Sequence, residues 1–453
     1  MNSASAAPQA RRHQIVIVGG GAGGLSLAAR LGRKYRRNEN VRVLLIDHKP
    51  THLWKPLLHE VATGSLDSNH DEVSYVSLAR KHGFQFMLGR LESVNGAEKT
   101  LSINRQTNDP LQADSPFQLV EQSSEPHVIA YDQVVLAIGS MSNDFGTPGV
   151  LQHAILLDNR MQAEKFHRQL IAHLHRVNNL TEDQNKILSV VIVGGGATGV
   201  ELAADLHNVA SQLEEFGFRR FKPENLNITV IEAGPRLLAQ LPERISHSVE
   251  KELHAIGVDV RTDTMVSGIN AASVQTREGQ EYVADLCVWA AGIRAPAELG
   301  QSGLATDPIG RVFTTRQLNV PEHPEMFVIG DCCHCALSEN DPDTAVPPRE
   351  QSAHQMAGIV YKNITRQLQG KSLKTFEFQD YGSLVSLSEY STVGNLMGNL
   401  MKGTLFIEGW VARFVYRMLY RRHQAAVHGI IATGMIMIGD RIHNATHSHL
   451  KLH

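Results

Sequence analysis

Apolar residues gather along this chain in short runs that end at glycine or an acid, and most runs lead into a stretch of helical spacing. Residues 14–18 read as a strand that breaks at Gly19, and the apolar positions of residues 25–31 continue as a helix. Residues 41–46 then form a buried strand closing on Asp47. The same order returns in mid-chain, with a strand at 187–193, a helix at 198–213 and a strand at 226–231 ending on Glu232. Residues 15–31 and 190–206 align without a gap and share 12 of 17 positions, 175 residues apart. One supersecondary unit is used twice.

Strands alternating with helices predict an α/β chain with parallel, doubly wound sheets, here two Rossmann-like dinucleotide-binding domains. The repeat runs past the glycine segments. Residues 131–140 read as a strand entering a turn, 286–292 as its counterpart, and 326–331 as a last strand ending in Gly330-Asp331. Polar, turn-rich residues 106–127 read as a loop or insert within a small antiparallel layer. The plan is nested: a first domain over 13–155, a second over 156–298, a return to the first over 299–385, and a C-terminal region over 386–453.

Both glycine segments carry G-x-G-x-x-G between strand and helix, as Gly19, Gly21 and Gly24 and as Gly194, Gly196 and Gly199. The first glycine turns the chain, the second admits a pyrophosphate, and the third lets helix and strand pack closely. The helix N-terminus offers N–H groups to the anion, from Ala22 and Gly23 in one copy and Ala197 and Thr198 in the other. Asp47 and Glu232 stand where a carboxylate accepts from a ribose diol and repels a 2′-phosphate, which favours NADH at the second site. They lie 23 and 33 residues past the third glycine, the longer interval reflecting a lengthened helix and loop over residues 212–225. Pro235-Arg236 nearby leaves some NADPH use open. FAD is assigned to the first cradle, with His48, Leu91, Ala137, Gly139, Gly330 and Asp331 as further contacts, and Ala291 and Gly292 join the NADH cradle. Two dinucleotide sites in one chain suit hydride transfer between them.

At 453 residues, the chain holds more than one domain, and 42% hydrophobic with 20% charged residues suits a soluble globular enzyme. A net charge of -3 lends nothing to nucleic-acid binding. The small, polar first residues with Arg11-Arg12 show no signal-peptide core. Four cysteines make no disulfide framework and point to a reducing cytoplasm. None lies within 48–90, where a dithiol relay beside a flavin would sit. Cys287 reads as core, whereas Cys332, Cys333, His334 and Cys335 lack the spacing of a zinc site and leave Cu(I) as an alternative to no metal.

Residues 402–453 carry seven basic and two acidic side chains, a local formal charge of +5. Val411, Phe414, Val415, Met418 and Leu419 share one helix face, with Arg413, Arg417 and Arg421 opposite. That pattern fits an interfacial helix on anionic lipid or a helix packed on the protein. The apolar run 427–439 is 13 residues long, short of the roughly 20 needed to span a bilayer. Six tail histidines, at 423, 428, 443, 447, 449 and 453, read as solvated.

The blocks HLWKPLLHEVATG (His52 to Gly64), VWAAGI (Val288 to Ile293), VIGD and PPREQSAHQMA (Pro347 to Ala357) resemble the bacterial type II NADH:quinone oxidoreductases. The likeness runs from about residue 13 to the end, and GSLVSLS, LMGNL and LKLH bring it close to the Gram-negative form. It implies non-covalent FAD, with two electrons passed from NADH to a membrane quinone and no proton pumping. It also implies a peripheral enzyme of the respiratory chain on the cytoplasmic face of the inner membrane, commonly a homodimer. Ubiquinone and menaquinone stay open. Lys55 is implied to approach the isoalloxazine, Gln351 and Gln355 to line the quinone pocket, and Glu201 to act on nicotinamide binding or proton delivery. Glu350 stands where the family pattern has alanine, and Tyr381 where many relatives have lysine. From the residues alone, Gln351 and Gln355 are a solvated helix face or hydrogen-bonding partners for quinone carbonyls, and Glu201 is an acid of a helix's first turn. Rival readings are a sulfide:quinone or ferredoxin-type reductase, and a slow redox sensor that binds both nucleotides.

Overall fold

A strand buried on both faces must be apolar at every position, and His13–Val18 is buried from Ile15 onward. It pairs in parallel with Val41–Asp47 on one side and Gln133–Leu136 on the other. The computed structural model describes residues 11–66, 72–105, 126–180, 187–388, 391–397, 404–408, 418, 421, 424–425 and 429–446. The chain divides into two compact units, one of Met1–His52, Val73–Ser140 and Arg294–Gln379, the other of Leu53–Glu72, Met141–Ile293 and Asp380–His453.

The first unit is built on a six-stranded sheet in the order Asn319–Val320, His323–Val328, Gln133–Leu136, His13–Val18, Val41–Asp47, Gln85–Leu88. All neighbours are parallel except the first pair. The three-stranded antiparallel layer of Arg90–Asn95, Thr100–Asn104 and His127–Ala130 is present, and most of the polar segment 106–127 lies outside the described residues.

The second unit repeats the plan with five parallel strands, Ile155–Leu156, Leu286–Trp289, Leu188–Val193, Leu226–Ile231 and Asp259–Arg261. Leu286–Trp289 stands beside Leu188–Val193 as Gln133–Leu136 stands beside His13–Val18, so the repeat does extend past the glycine motif. The helix Arg160–Asn179, capped by Asn159, sends Phe166, Leu170 and Leu174 into a core shared with Val200 and Leu206 of the motif helix Ala197–Gln212. This unit also holds a three-stranded sheet of Gly382–Leu387, Ser391–Met397 and Thr404–Glu408. The longer interval before Glu232 is a slightly longer helix and a loop, as expected: the helix ends at Gln212, 16 residues against 14 in the first copy, and turns lead to the short 3-10 helix Pro223–Asn225.

Each glycine turn is closed by backbone contacts that a side chain would destroy. A Cβ on Gly19 would lie 2.2 Å from Ala137 O, and its φ is +101°. A Cβ on Gly24 would stand 1.9 Å from Gly19 O, and on Gly199 2.1 Å from Gly194 O. Nothing lies within 4 Å of a Cβ on Gly21 or Gly196. Alanine in a helix gains about 1 kcal/mol over glycine. Overlap with a fixed backbone oxygen costs more than that, of order 1–3 kcal/mol or above. Gly199→Ala is therefore expected to lower the unfolding temperature of the full-length protein by about 2 °C or more, and Gly196→Ala to shift it by less than about 1 °C. Differential scanning calorimetry showing equal shifts would refute the clash.

Candidate active site

In both parallel sheets the candidate residues fall at the carboxyl ends of neighbouring strands, where open α/β sheets bind ligands. In the first unit these are Gly19 to Gly24, Asp47 and His48, Ala137 and Gly139, and Gly330 with Asp331. Gly20 N–H donates to Asp47 Oδ2 at 2.6 Å, and Lys49 N–H donates to Oδ1 at 2.8 Å. Tyr75 OH donates to Gly20 O at 2.8 Å and holds the turn from its other side. His48 Nδ1 lies 3.4 Å from Asp47 Oδ1. Ser140 Oγ donates to Asp331 Oδ2 at 2.8 Å, which fixes the acid that follows the last strand. Leu91 is buried in the antiparallel layer, in register with Ile103, rather than on the six-stranded sheet.

The first-turn N–H groups of the helix Ala22–Tyr35 have no side-chain cap, and the N-cap, Gly21, is exposed. The missing Cβ at Gly21 leaves open space in front of these donors. A dinucleotide pyrophosphate fits such a terminus. Asp47 uses two of its roughly four acceptor positions on backbone amides, which leaves acceptors of the kind a ribose diol needs. The residues present therefore suit FAD.

The second unit repeats this geometry atom for atom in kind. Gly195 N–H donates to Glu232 Oε2 at 2.6 Å, and Gly234 N–H donates to Oε1 at 2.7 Å. The N-cap Gly196 lacks a side-chain bond, and Gly196, Ala197 and Thr198 are exposed. Ala290 closes on Gly194, and Ala291 and Gly292 follow it, with Gly292 at φ +65°. Arg236 is turned to its own surroundings. Its Nη1 donates to Leu241 O at 2.9 Å and Ser246 Oγ at 2.5 Å, and its Nη2 to Ala239 O at 2.7 Å.

Glu201 departs from its expected setting. It is the fifth residue of Ala197–Gln212, beyond the first turn, and only 7% exposed. Its Oε1 accepts from Ser386 N–H at 3.1 Å, and its Oε2 lies 3.7 Å from His59 Nδ1. Burial drives its carboxyl up to about 7, against the pull of His59. Asp205, one turn on, puts Oδ2 3.5 Å from His59 Nε2. Burial raises its pKa also. His59 is 3% exposed, and burial alone would lower its pKa. The carboxylates of Glu201, Asp205 and Glu60 outweigh this, so the net shift is upward. His59 and Asp205 were not singled out from the sequence. The four-residue spacing of Glu201 and Asp205 was the available signal, since it puts both on one helix face.

Lys55 belongs to the second unit, with Nζ 3.9 Å from Asp158 Oδ1. Gln351 and Gln355 lie on the helix Glu350–Gln367 of the first unit. Gln355 clasps residue 379 in both directions, Nε2 donating to Gln379 O at 2.8 Å and Oε1 accepting from Gln379 N–H at 3.0 Å.

Copper at Cys332, Cys333 and Cys335 is not what the fold assembles. The three thiols are buried and each is taken up by oxygens of the fold: Cys332 by Ile329 O, Cys335 by Ala336 O, and both Cys333 and Cys335 by the Thr314 hydroxyl. Burial pushes Cys332 up to about 12 and Cys335 to about 11, and raises Cys333, so the thiols of the protein are held neutral. Among the described residues no group of three or more His, Cys, Asp and Glu is arranged to hold a metal ion.

The pyridine nucleotide-disulphide oxidoreductase family matches residues 13–357. The chain is 39% identical to the type II NADH:quinone oxidoreductase of Haemophilus influenzae, over 97% of this chain and 99% of that one. It is similar in structure to NDH2 from Plasmodium falciparum in complex with NADH, at a TM-score of 0.79 and 19% identity, covering 97% of this chain and 100% of that one. The sulfide:quinone oxidoreductase of Aquifex aeolicus follows at 0.72 and 19%, covering 96% of each chain, a likeness of fold alone. With its paired cradles and this relationship over nearly its whole length, the chain belongs to the type II NADH:quinone oxidoreductases of the pyridine nucleotide-disulphide oxidoreductase family.

Proposed function

We propose that this chain oxidises NADH at the second cradle and, through FAD in the first, reduces a quinone by two electrons without pumping protons. The observation that carries the reading is the duplicated acid–glycine clamp, which gives one chain two cradles of the same kind. When bound, FAD supplies the two-electron centre that accepts hydride from NADH and passes the electrons on. The chain's own part is positioning. The uncapped helix ends hold the pyrophosphates, Asp47 and Glu232 meet the riboses, and Asp331, fixed by Ser140, bounds the first cradle. Gln351 and Gln355 are the proposed quinone-pocket residues. Gln355 acts by holding residue 379 in place. Lys55 remains the basic side chain proposed for the flavin ring.

The reading places the enzyme on the cytoplasmic surface of the inner membrane. The basic amphipathic helix expected around residues 411–419 lies almost wholly outside the described residues. The helix Ile430–Thr446 supports surface attachment, because Ile431, Met435 and Ile438 are exposed on one face while Thr433 is buried on another. No helix among the described residues is long and apolar enough to cross a membrane.

Stopped-flow mixing tests the electron path. NADH is expected to bleach the flavin absorbance and a short-chain quinone to restore it, whereas bleaching without recovery would favour a redox sensor. Glu232→Gln keeps one acceptor and loses the charge. It is expected to reduce the preference for NADH over NADPH in kcat/KM by about tenfold or more, the worth of one hydrogen bond. An unchanged ratio would remove Glu232 from recognition. Changing Ile431, Met435 and Ile438 together to Glu is expected to release the full-length protein from anionic vesicles on sedimentation, with flavin reduction by NADH intact. Continued co-sedimentation would place the attachment elsewhere.

A further inference from the structure

The two cradles differ in what stands beside one matching glycine. Ala137 closes on Gly19 and Ala290 on Gly194, so Gly139 and Gly292, each two residues on, hold the same place past the strand next to the motif strand. Both are left-handed, at φ +71° and +65°. A Cβ on Gly139 would have nothing within 4 Å. A Cβ on Gly292 would lie 2.4 Å from Phe145 Cζ and 2.8 Å from its Cε2.

Phe145 is held in that place against its own backbone preference. Its φ is +50°, where glycine, Asn and Asp sit with little strain and a bulky side chain does not. Gly146 follows at φ +67°, and Thr147 N–H donates to Asp144 O at 2.9 Å, so residues 144–147 make a turn with two left-handed central residues. Such turns favour Asn-Gly at the centre, and this one has Phe-Gly. Burial does not offset the strain, because Phe145 is 64% exposed. An exposed apolar side chain is ordinary by itself. One kept in a strained turn, with its ring on a cradle glycine, is not.

The segment is tied down on several sides. Phe145 N–H donates to Asn143 Oδ1 at 3.0 Å, and Asn143 N–H donates to Gly292 O at 3.3 Å. Trp289 Nε1–H donates to Asn143 O at 2.8 Å. One residue earlier, Ser142 donates to Asp158 Oδ1 from its N–H at 2.8 Å and its hydroxyl at 3.0 Å. All these residues belong to the second unit.

Strand order sets the ring against a dinucleotide. The motif strand Leu188–Val193 has Leu226–Ile231 on one side and Leu286–Trp289 on the other. Glu232, at the end of the first neighbour, marks the side of the adenosine ribose, and the uncapped helix start marks the pyrophosphate. Gly292 and Phe145 lie past the other neighbour, on the side left for the second nucleoside.

We propose that Phe145 is a substrate contact of the second cradle, its exposed ring packing against the nicotinamide nucleoside of NADH. The strained turn sets the ring in place before the substrate arrives, and the substrate covers apolar surface that the free protein exposes. The first cradle has open space at Gly139 instead. The inference rests on the NADH reading of the second cradle.

Titration calorimetry of the full-length, FAD-loaded protein with NAD+ and with ADP, which lacks the nicotinamide nucleoside, reads this contact without turnover. Phe145→Ala is expected to weaken NAD+ about fivefold or more and to leave ADP within about twofold, whereas Phe145→Tyr keeps both within about twofold. Phe145→Gly removes the ring and the strain together. It is expected to weaken NAD+ to the same degree while the unfolding temperature stays level or rises. A merely structural ring would act on both ligands alike, and its loss would lower the unfolding temperature. Equal weakening of the two ligands, or NAD+ within about twofold of the parent in Phe145→Ala, would overturn the proposal and leave the cradle reading intact. A parent protein that binds neither ligand would sink the NADH reading, and this contact with it.

Discussion

The structure depends on one interaction used twice: a carboxylate at the end of a parallel strand accepting the N–H of a glycine in the neighbouring turn. Asp47 holds Gly20, and Glu232 holds Gly195, each at 2.6 Å. The second carboxylate oxygen accepts from the residue two positions on, Lys49 or Gly234. A charged acceptor makes these bonds stronger than neutral ones, roughly twofold, and so fixes the turn against the strand. With the turn fixed, the third glycine lies against the carbonyl of the first, and the helix points its uncapped N-terminus at open space. Loss of the acid would free the turn before it affected any ribose contact.

The clamp also bears on how the second cradle distinguishes its substrates. A carboxylate spent on two amides is held in place, so it cannot swing away from a 2′-phosphate, and its charge stays where that phosphate would lie. The guanidinium of Arg236 donates to four acceptors, the carbonyls of Leu238, Ala239 and Leu241 and the Ser246 hydroxyl. The proposed preference for NADH rests on these two groups, the carboxylate that repels and the guanidinium held elsewhere.

How much of this could be read from the residues follows from what pattern can and cannot encode. The strand Leu226–Ile231 was legible to the residue, because an apolar run bounded by a polar loop and an acid has one sensible reading. The duplicated sheets were legible for the same reason. The double role of Asp47 and Glu232 was not, since spacing puts an acid near a ribose but does not say which backbone amides it also holds. Tyr75 and Ser140 lie far in sequence from the atoms they bind, Gly20 O and Asp331, and carry no local signature. The cysteine cluster misled through adjacency. Neighbouring thiols suggested a shared ligand, while the fold buries each against oxygens of its own backbone and of Thr314.

The buried acids of the motif helix follow from the same duplication. Residues 15–31 and 190–206 match at most positions, yet where the first copy has Ser26 and Arg30 the second has Glu201 and Asp205. In the first unit Ser26 is buried without charge, and Arg30 reaches outward over the Tyr361 ring at 4.5 Å. Binding a dinucleotide therefore does not require acids at these two positions. Placing two carboxylates in the interior of the second helix costs several kcal/mol of desolvation unless each finds a partner. The partner is His59, brought by a helix of four more apolar or small residues that buries Leu58, Val61 and Ala62 in the same core. A costly buried cluster in one copy of a repeat, absent from the other, belongs to what the two copies do differently. One cradle retains its nucleotide. The other must release a spent one at every turnover, and the acids stand on the helix that binds it.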